Sequence, residues 1–185
     1  MQNVRCAFVS TSVIRCDDMI WCMKTQETMK AAQKDLAGLT DDELIKLRHE
    51  IEKEVRRRGL KLTVGEVGER LVVAHFNNTS GLTNLQIAPR GTKNVDALSR
   101  DGDRYSIKTV LDAKKTGTIY PDRNTPDKQL FEFLLIATLS EDHTLKSIHQ
   151  LSWDQFLEVR CWDKRMSAWY VPCSAKALGT STRLL

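Results

Sequence analysis

The chain has 185 residues, 41% of them apolar and 28% charged, with 28 Lys and Arg against 24 Asp and Glu for a formal charge of +4. That length fits one domain with a single core, the fractions are those of an ordinary soluble protein, and no apolar run approaches the roughly 20 residues of a membrane span. So small a positive excess permits a nucleic-acid partner without requiring one.

Residues 1–28 differ in character from the rest. Cys6-Ala7-Phe8-Val9 and Val13-Ile14 are interrupted by Ser, Thr and Arg15, and Asp17-Asp18 stands where a signal-peptide cleavage region is small and uncharged. The stretch reads as a loosely ordered extension: a tail, a partner-binding segment, or sequence upstream of a start at Met29. Residues 29–60 read as a helical segment that turns helical from Gln26, pauses at Gly38-Leu39 and restarts at Thr40-Asp41-Asp42-Glu43, a capping box with acids in the first turn. Leu44, Leu47, Ile51 and Val55 then give one apolar stripe, closed by Arg56-Arg57-Arg58-Gly59. Basic residues before a terminal glycine suit a helix C-terminus, so dipole complementation and a solvated face explain the arginines better than phosphate binding does.

The next helix is predicted over Val64 to Phe76. Thr63-Val64-Gly65-Glu66 fits a second capping box, with Glu66 reaching back to the cap. Gly65 and Gly68 each cost the helix roughly 1 kcal/mol against alanine, so close packing on a sheet or close approach of a ligand backbone is expected there. Asn77-Asn78-Thr79-Ser80-Gly81 leads into a first strand at Leu85-Gln86-Ile87-Ala88.

Asn94-Val95-Asp96 and Tyr105-Ser106-Ile107-Lys108 flank a glycine turn with alternating apolar positions, which predicts a β-hairpin. A two-residue Asp101-Gly102 turn would set Asp96 opposite Ile107 and bury the acid. A three-residue Arg100-Asp101-Gly102 loop, with the glycine in the left-handed position of a bulge, instead sets Asp96 opposite Ser106 and Asn94 opposite Lys108. Only that register puts Val95, Ala97, Tyr105 and Ile107 on one face and gathers Asp96, Ser106 and Lys108 on the other.

Beyond Lys108, Leu111 to Gln129 is rich in Lys, Asp, Thr, Pro and Gly and reads mostly as loop. Glu132 to Leu139 is a central buried strand by its unbroken apolar run, Glu141-Asp142-His143 a turn, and Leu145 to Leu151 the next strand. Ser152 caps a short helix over Trp153 to Val159, and Trp162, Trp169 and Tyr170 are read as core packing in preference to base stacking. Cys6, Cys16, Cys22, Cys161 and Cys173 match neither a zinc pattern nor a disulfide framework, which makes a reduced cytoplasm the simplest setting. His49, His75, His143 and His149 are scattered, and structural roles are favoured over metal ligation.

An acid on one strand followed by a polar-x-lysine on the next resembles the PD-(D/E)XK superfamily of metal-dependent nucleases, to which restriction enzymes and junction resolvases belong. The chain is also similar to a group of bacterial domains of that type, in which a Gly-Glu-x-Gly-Glu helix precedes an Asp-Ala strand and a Gln-Ile-Lys strand. Here those elements read Gly65-Glu66-Val67-Gly68-Glu69, Asp96-Ala97 and Ser106-Ile107-Lys108, and the likeness runs from about Leu39 to Val159. It implies a restriction-endonuclease-like α/β core over 61–185, a central mixed β-sheet with a catalytic hairpin, flanked by helices.

The implied activity is hydrolysis of DNA phosphodiesters by a restriction or repair endonuclease, with Mg2+, or Mn2+ in its place, held by Asp96, Glu69 and the Ile107 carbonyl. Lys108 would orient or deprotonate the attacking water or stabilise developing charge, and Ser106 would hold a water by its hydroxyl. Ser106 departs from the pattern, which has Glu, Asp or Gln there. A hydroxyl is a weaker ligand for a hard cation than a carboxylate, which supports a rival reading as a nuclease-fold DNA-binding module with weakened catalysis. Arg90, Lys114, Lys115, Arg123 and Lys128 are the candidate phosphate contacts, the expected partner is DNA with no membrane, and cutting both strands would favour a two-fold homodimer.

Overall fold

The computed structural model describes residues 36–89, 91–122, 124–125 and 128–185. The N-terminal extension, the helical turn expected from Gln26, and Cys6, Cys16 and Cys22 lie outside the described residues. The chain divides into two compact units after Gly59. None of the helices is long and apolar enough to cross a membrane, among the described residues.

In the first unit, α1 spans Asp41–Arg57. Its capping box forms as the sequence predicts: the Glu43 amide donates to Thr40 Oγ1 at 3.4 Å and the Thr40 amide to Glu43 Oε2 at 2.8 Å. Gly59, at φ +62°, ends the run in the left-handed conformation that glycine adopts without penalty. Arg57 and Arg58 both pair with Glu54 at 2.6 Å, so two of the three arginines are engaged within their own helix.

Leu60–Leu185 forms an α/β unit around a mixed six-stranded sheet. The elements are α2 (Val64–Asn78), β1 (Leu85–Ile87), β2 (Ala97–Ser99), β3 (Arg104–Leu111), β4 (Phe133–Leu139), β5 (Leu145–Ser152), α3 (Trp153–Val159), β6 (Cys161–Asp163), β7 (Ala168–Tyr170), α4 (Ala175–Leu178) and β8 (Thr182–Arg183). The strand order is β1-β2-β3-β4-β5-β8, with β3 and β4 parallel and the other neighbours antiparallel, and β6 and β7 pair separately.

Strand β4 is apolar apart from Thr138 because both its faces are covered. Leu135 and Ala137 join Val72, Val73 and Phe76 of α2 with Tyr105 and Ile107 of β3, while Leu134 and Ile136 join Phe156 of α3, Trp169 and Phe131 on the opposite face. Edge-to-face ring contacts of Phe156 with Phe131 and Trp169 fill that second core, so the expected packing role holds for Trp169, whereas Trp162 is 49% exposed at the edge of the Trp169 ring and Tyr170 lies outside the core under Lys115.

Helix α2 sits unusually close to β3. A Cβ added at Gly68 would lie 1.9 Å from Thr109 Oγ1, which no real side chain tolerates, whereas a Cβ at Gly65 would meet nothing within 4 Å. The expected close packing therefore holds at Gly68 and not at Gly65. The consequence for function is that Glu69, one residue on, is carried to the surface of the β2–β3 hairpin.

Candidate functional site

The hairpin adopts the three-residue loop. Ala97 pairs with Tyr105 and Leu98 with Arg104, the Ser99 amide donates to Asp103 O at 3.0 Å, and Gly102 takes φ +91°. The ladder then ends sooner than the alternation suggests. Asn94 is in the left-handed region at φ 61° and donates through Nδ2 to Tyr120 O at 3.2 Å, so the expected pairing of Asn94 with Lys108 does not form.

Asp96, at the point where β2 begins, is held from both sides: its amide donates to Tyr105 O at 2.8 Å and its carbonyl accepts from the Ala88 amide at 2.9 Å. Its carboxylate takes over the next ladder position. Oδ2 accepts from the Ile107 amide at 2.6 Å and from Ser106 Oγ at 3.2 Å, and Lys108 Nζ stands 3.8 Å away. That last separation is an ion pair without a hydrogen bond. The two charged side chains are each about one-fifth exposed (21% and 22%), so water partly screens the pair and small ligands can reach it.

All three of these interactions fall on Oδ2, which leaves Oδ1 with no hydrogen bond among the described residues. A residue's amide and carbonyl leave a strand toward the same neighbour, so the Ile107 carbonyl heads for the same edge as its amide, toward Asp96. Ser106 is fully buried and its hydroxyl donates to Asp96. It holds the acid in place.

A cleft of about 190 Å3 opens here, lined by Glu66, Glu69, Arg70, Thr92 and Asp96 among others. Burial and then the Asp96 charge push the Glu69 carboxyl above its ordinary range, with Lys108 pulling the other way. Two carboxylates that repel each other across a small cleft make a place where a cation is favourable. Among the described residues, no three His, Cys, Asp or Glu side chains gather at metal-binding spacing. The groups here that could hold a hard cation are the Asp96 and Glu69 carboxylates and the Ile107 carbonyl.

Two features of the cleft were not legible as such in the sequence. Glu66 does not complete a capping box: Thr63 Oγ1 accepts from the Glu66 amide at 3.3 Å, but the Glu66 carboxylate turns to Lys61 at 3.7 Å and lines the cleft. Arg70 also lines it, and its charge offsets part of the repulsion at Glu69. The signal was present in Glu69-Arg70, adjacent on the second turn of the helix just before the buried Val72 and Val73.

Of the candidate phosphate contacts, Lys114, Lys115 and Lys128 do not line this cleft. Lys115 pairs with Asp163 at 3.2 Å and lies 4.5 Å over the Tyr170 ring, which gives it a structural role. Lys114 and Lys128 are exposed on the connection between β3 and β4, and Arg90 and Arg123 lie outside the described residues. Of the histidines, His149 Nδ1 shares a hydrogen bond with Ser181 Oγ at 2.8 Å, and His75 Nε2 is buried without a partner. No protein-family model matches the chain, and no curated protein matches it in sequence.

Proposed function

We propose that the chain is a metal-dependent nuclease that hydrolyses DNA phosphodiesters, built on a restriction-endonuclease-like core. One observation carries this reading: Asp96 and Lys108, twelve positions apart, meet at 3.8 Å, and Asp96 lines a cleft that also holds Glu69. The order of elements supports it as well, since a helix, an antiparallel three-strand meander and a fourth strand parallel to the third succeed one another in the chain.

Asp96 Oδ1, Glu69 and the Ile107 carbonyl would hold Mg2+ or Mn2+. When bound, the metal supplies Lewis-acid polarisation of a phosphoryl oxygen and a more acidic water. The chain's own groups do the rest. The Ile107 amide and Ser106 hydroxyl fix the Asp96 carboxylate in orientation, so no side-chain freedom is lost when a ligand arrives. Lys108, 3.8 Å from Asp96, would hold positive charge where the phosphate gains negative charge, and its amine would orient the attacking water. Arg70 adds a second cation to a cleft whose acids would otherwise repel DNA.

Supercoiled plasmid with Mg2+ or Mn2+ tests the reading: nicking by the wild type, lost in Asp96→Asn and in Lys108→Met, is the expected result. A second reading, a nuclease-fold DNA-binding module, is favoured by Ser106, which is buried, neutral and engaged with Asp96. Salt-dependent DNA binding with no nicking under either metal would select it.

A further inference from the structure

A second cleft, of about 380 Å3, is lined by Lys93, Asn94, Tyr120, Pro121, Met166 and Ser167. Its walls come from three separate stretches of chain and are largely apolar. Tyr120 and Met166 are 43% and 38% exposed, large apolar surfaces left open to solvent. Tyr120 nevertheless stands on a fixed backbone. Its neighbour Ile119 exchanges both backbone hydrogen bonds with Trp169, at 2.8 and 2.9 Å, and the Tyr120 carbonyl accepts from Asn94 Nδ2.

The ring of Tyr120 stacks on no other aromatic among the described residues, and Lys93 has no ion pair or hydrogen bond among them. Asn94 has its amide donor engaged with Tyr120 O and keeps Oδ1 as a free acceptor at the cleft. A rigid aromatic platform, apolar side walls, one amide acceptor and one unpaired cation, with no acid in the lining, match a planar base carrying an amino group and attached to a phosphate.

We propose that this cleft is a nucleobase pocket, in which an unpaired base stacks on Tyr120 against Met166 and Pro121 while Lys93 meets its phosphate. The inference rests on the nuclease reading and names its substrate class. Asn94 lies two residues from Asp96, at most about 7 Å along the chain, so the base belongs to a nucleotide within one or two of the phosphate at Asp96. Bases inside an intact duplex are stacked and cannot enter. The preferred substrate is accordingly a single strand, or a duplex with unpaired bases at a flap, gap or junction.

The test uses the full chain with Ca2+ in place of Mg2+ and measures fluorescence anisotropy with a labelled single-stranded oligonucleotide and with a blunt duplex of the same sequence. Tyr120→Ala should weaken single-strand binding roughly tenfold, with the duplex nearly unchanged and Tyr120→Trp restoring the loss. Lys93→Ala should lower the salt slope of single-strand binding by about 0.7. Unchanged single-strand affinity in Tyr120→Ala, or an equal loss on the duplex, overturns the pocket. Plasmid nicking reports separately on the nuclease reading: a protein that never nicks but loses single-strand binding in Tyr120→Ala keeps the pocket and loses the enzyme.

Discussion

Two lysine–aspartate pairs in this molecule look alike and have different surroundings. Lys115 and Asp163 stand 3.2 Å apart and Lys108 and Asp96 3.8 Å, so the pair proposed to be catalytic is the looser of the two. Asp163 has both oxygens engaged: Oδ1 accepts from the Arg165 and Met166 amides that close the β6–β7 turn, and Oδ2 takes Lys115. Those amides, the Met166 amide first and Lys115 after it, hold its carboxyl below the usual range. Asp96 gathers its two donors and the Lys108 ammonium on one oxygen, keeps the other, and shares a cleft with a second acid. What sets the Asp96 pair apart is coordination left over, together with a neighbouring acid that disfavours more negative charge.

The largest expected effect breaks that contrast directly. Lys108→Met should lower plasmid nicking by roughly 10²–10⁴-fold, the usual worth of a positioned proton-transfer or charge-stabilising group. Asp96→Asn should cost at least as much while preserving the acceptor for the Ile107 amide, so its circular dichroism should match the wild type. Lys115→Ala and Asp163→Ala should leave nicking unchanged. Asp163→Ala should lower Tm, since it removes the acceptor of two turn amides. Equal activity losses at the two pairs would erase the distinction.

The two glycines of α2 sharpen the same lesson, that apparent equivalence in sequence conceals different surroundings. Gly68→Ala forces Thr109 to move and should destabilise by about 1–3 kcal/mol, a typical overpacking cost. In a chain of this size that is a fall in Tm of roughly 2–4 °C for each kcal/mol. Gly65→Ala enters open space on an exposed helical position and should raise stability by up to about 1 kcal/mol. Thermal unfolding of the two variants beside the wild type decides both, and a destabilised Gly65→Ala would contradict the open environment around that residue.

The hairpin was readable because its information is local: alternating apolar residues and one glycine admit a single register that keeps Asp96 out of the core. Strand β4 was readable for a similar reason, an apolar run too continuous for an edge. What failed depended on where an element stops. Asn94 reads as a continuing strand residue, yet the chain leaves the ladder at Ala97, and only that early exit frees the Asp96 side chain to replace a backbone partner at Ile107. Glu66 fits a capping box, but Lys61 outside the helix competes for it. The pairing of Lys115 with Asp163 joins residues 48 apart, and the Tyr120 cleft joins three segments, so neither leaves a periodic trace. Local pattern fixed which residues could form the site, and tertiary competition decided which of them remained available.

The smallest expected effect isolates the repulsion between the two acids. Glu69 holds its proton in the folded state to a higher pH than it does in the unfolded chain, because burial and Asp96 disfavour its charge. The folded state therefore binds more protons than the unfolded one over that interval, and stability is lost as pH rises through the raised value. Glu69→Gln removes the penalty. Without metal, the variant should match the wild type in Tm below the ordinary carboxylate range and exceed it at neutral pH. Adding Mg2+ at neutral pH should raise the Tm of the wild type more than that of the variant, because a cation between Asp96 and Glu69 stabilises only the folded state that offers both carboxylates. If Glu69→Gln and the wild type gain equally from Mg2+, Glu69 is not a ligand and Asp96 stands as a lone acid, coordinated no better than Asp163.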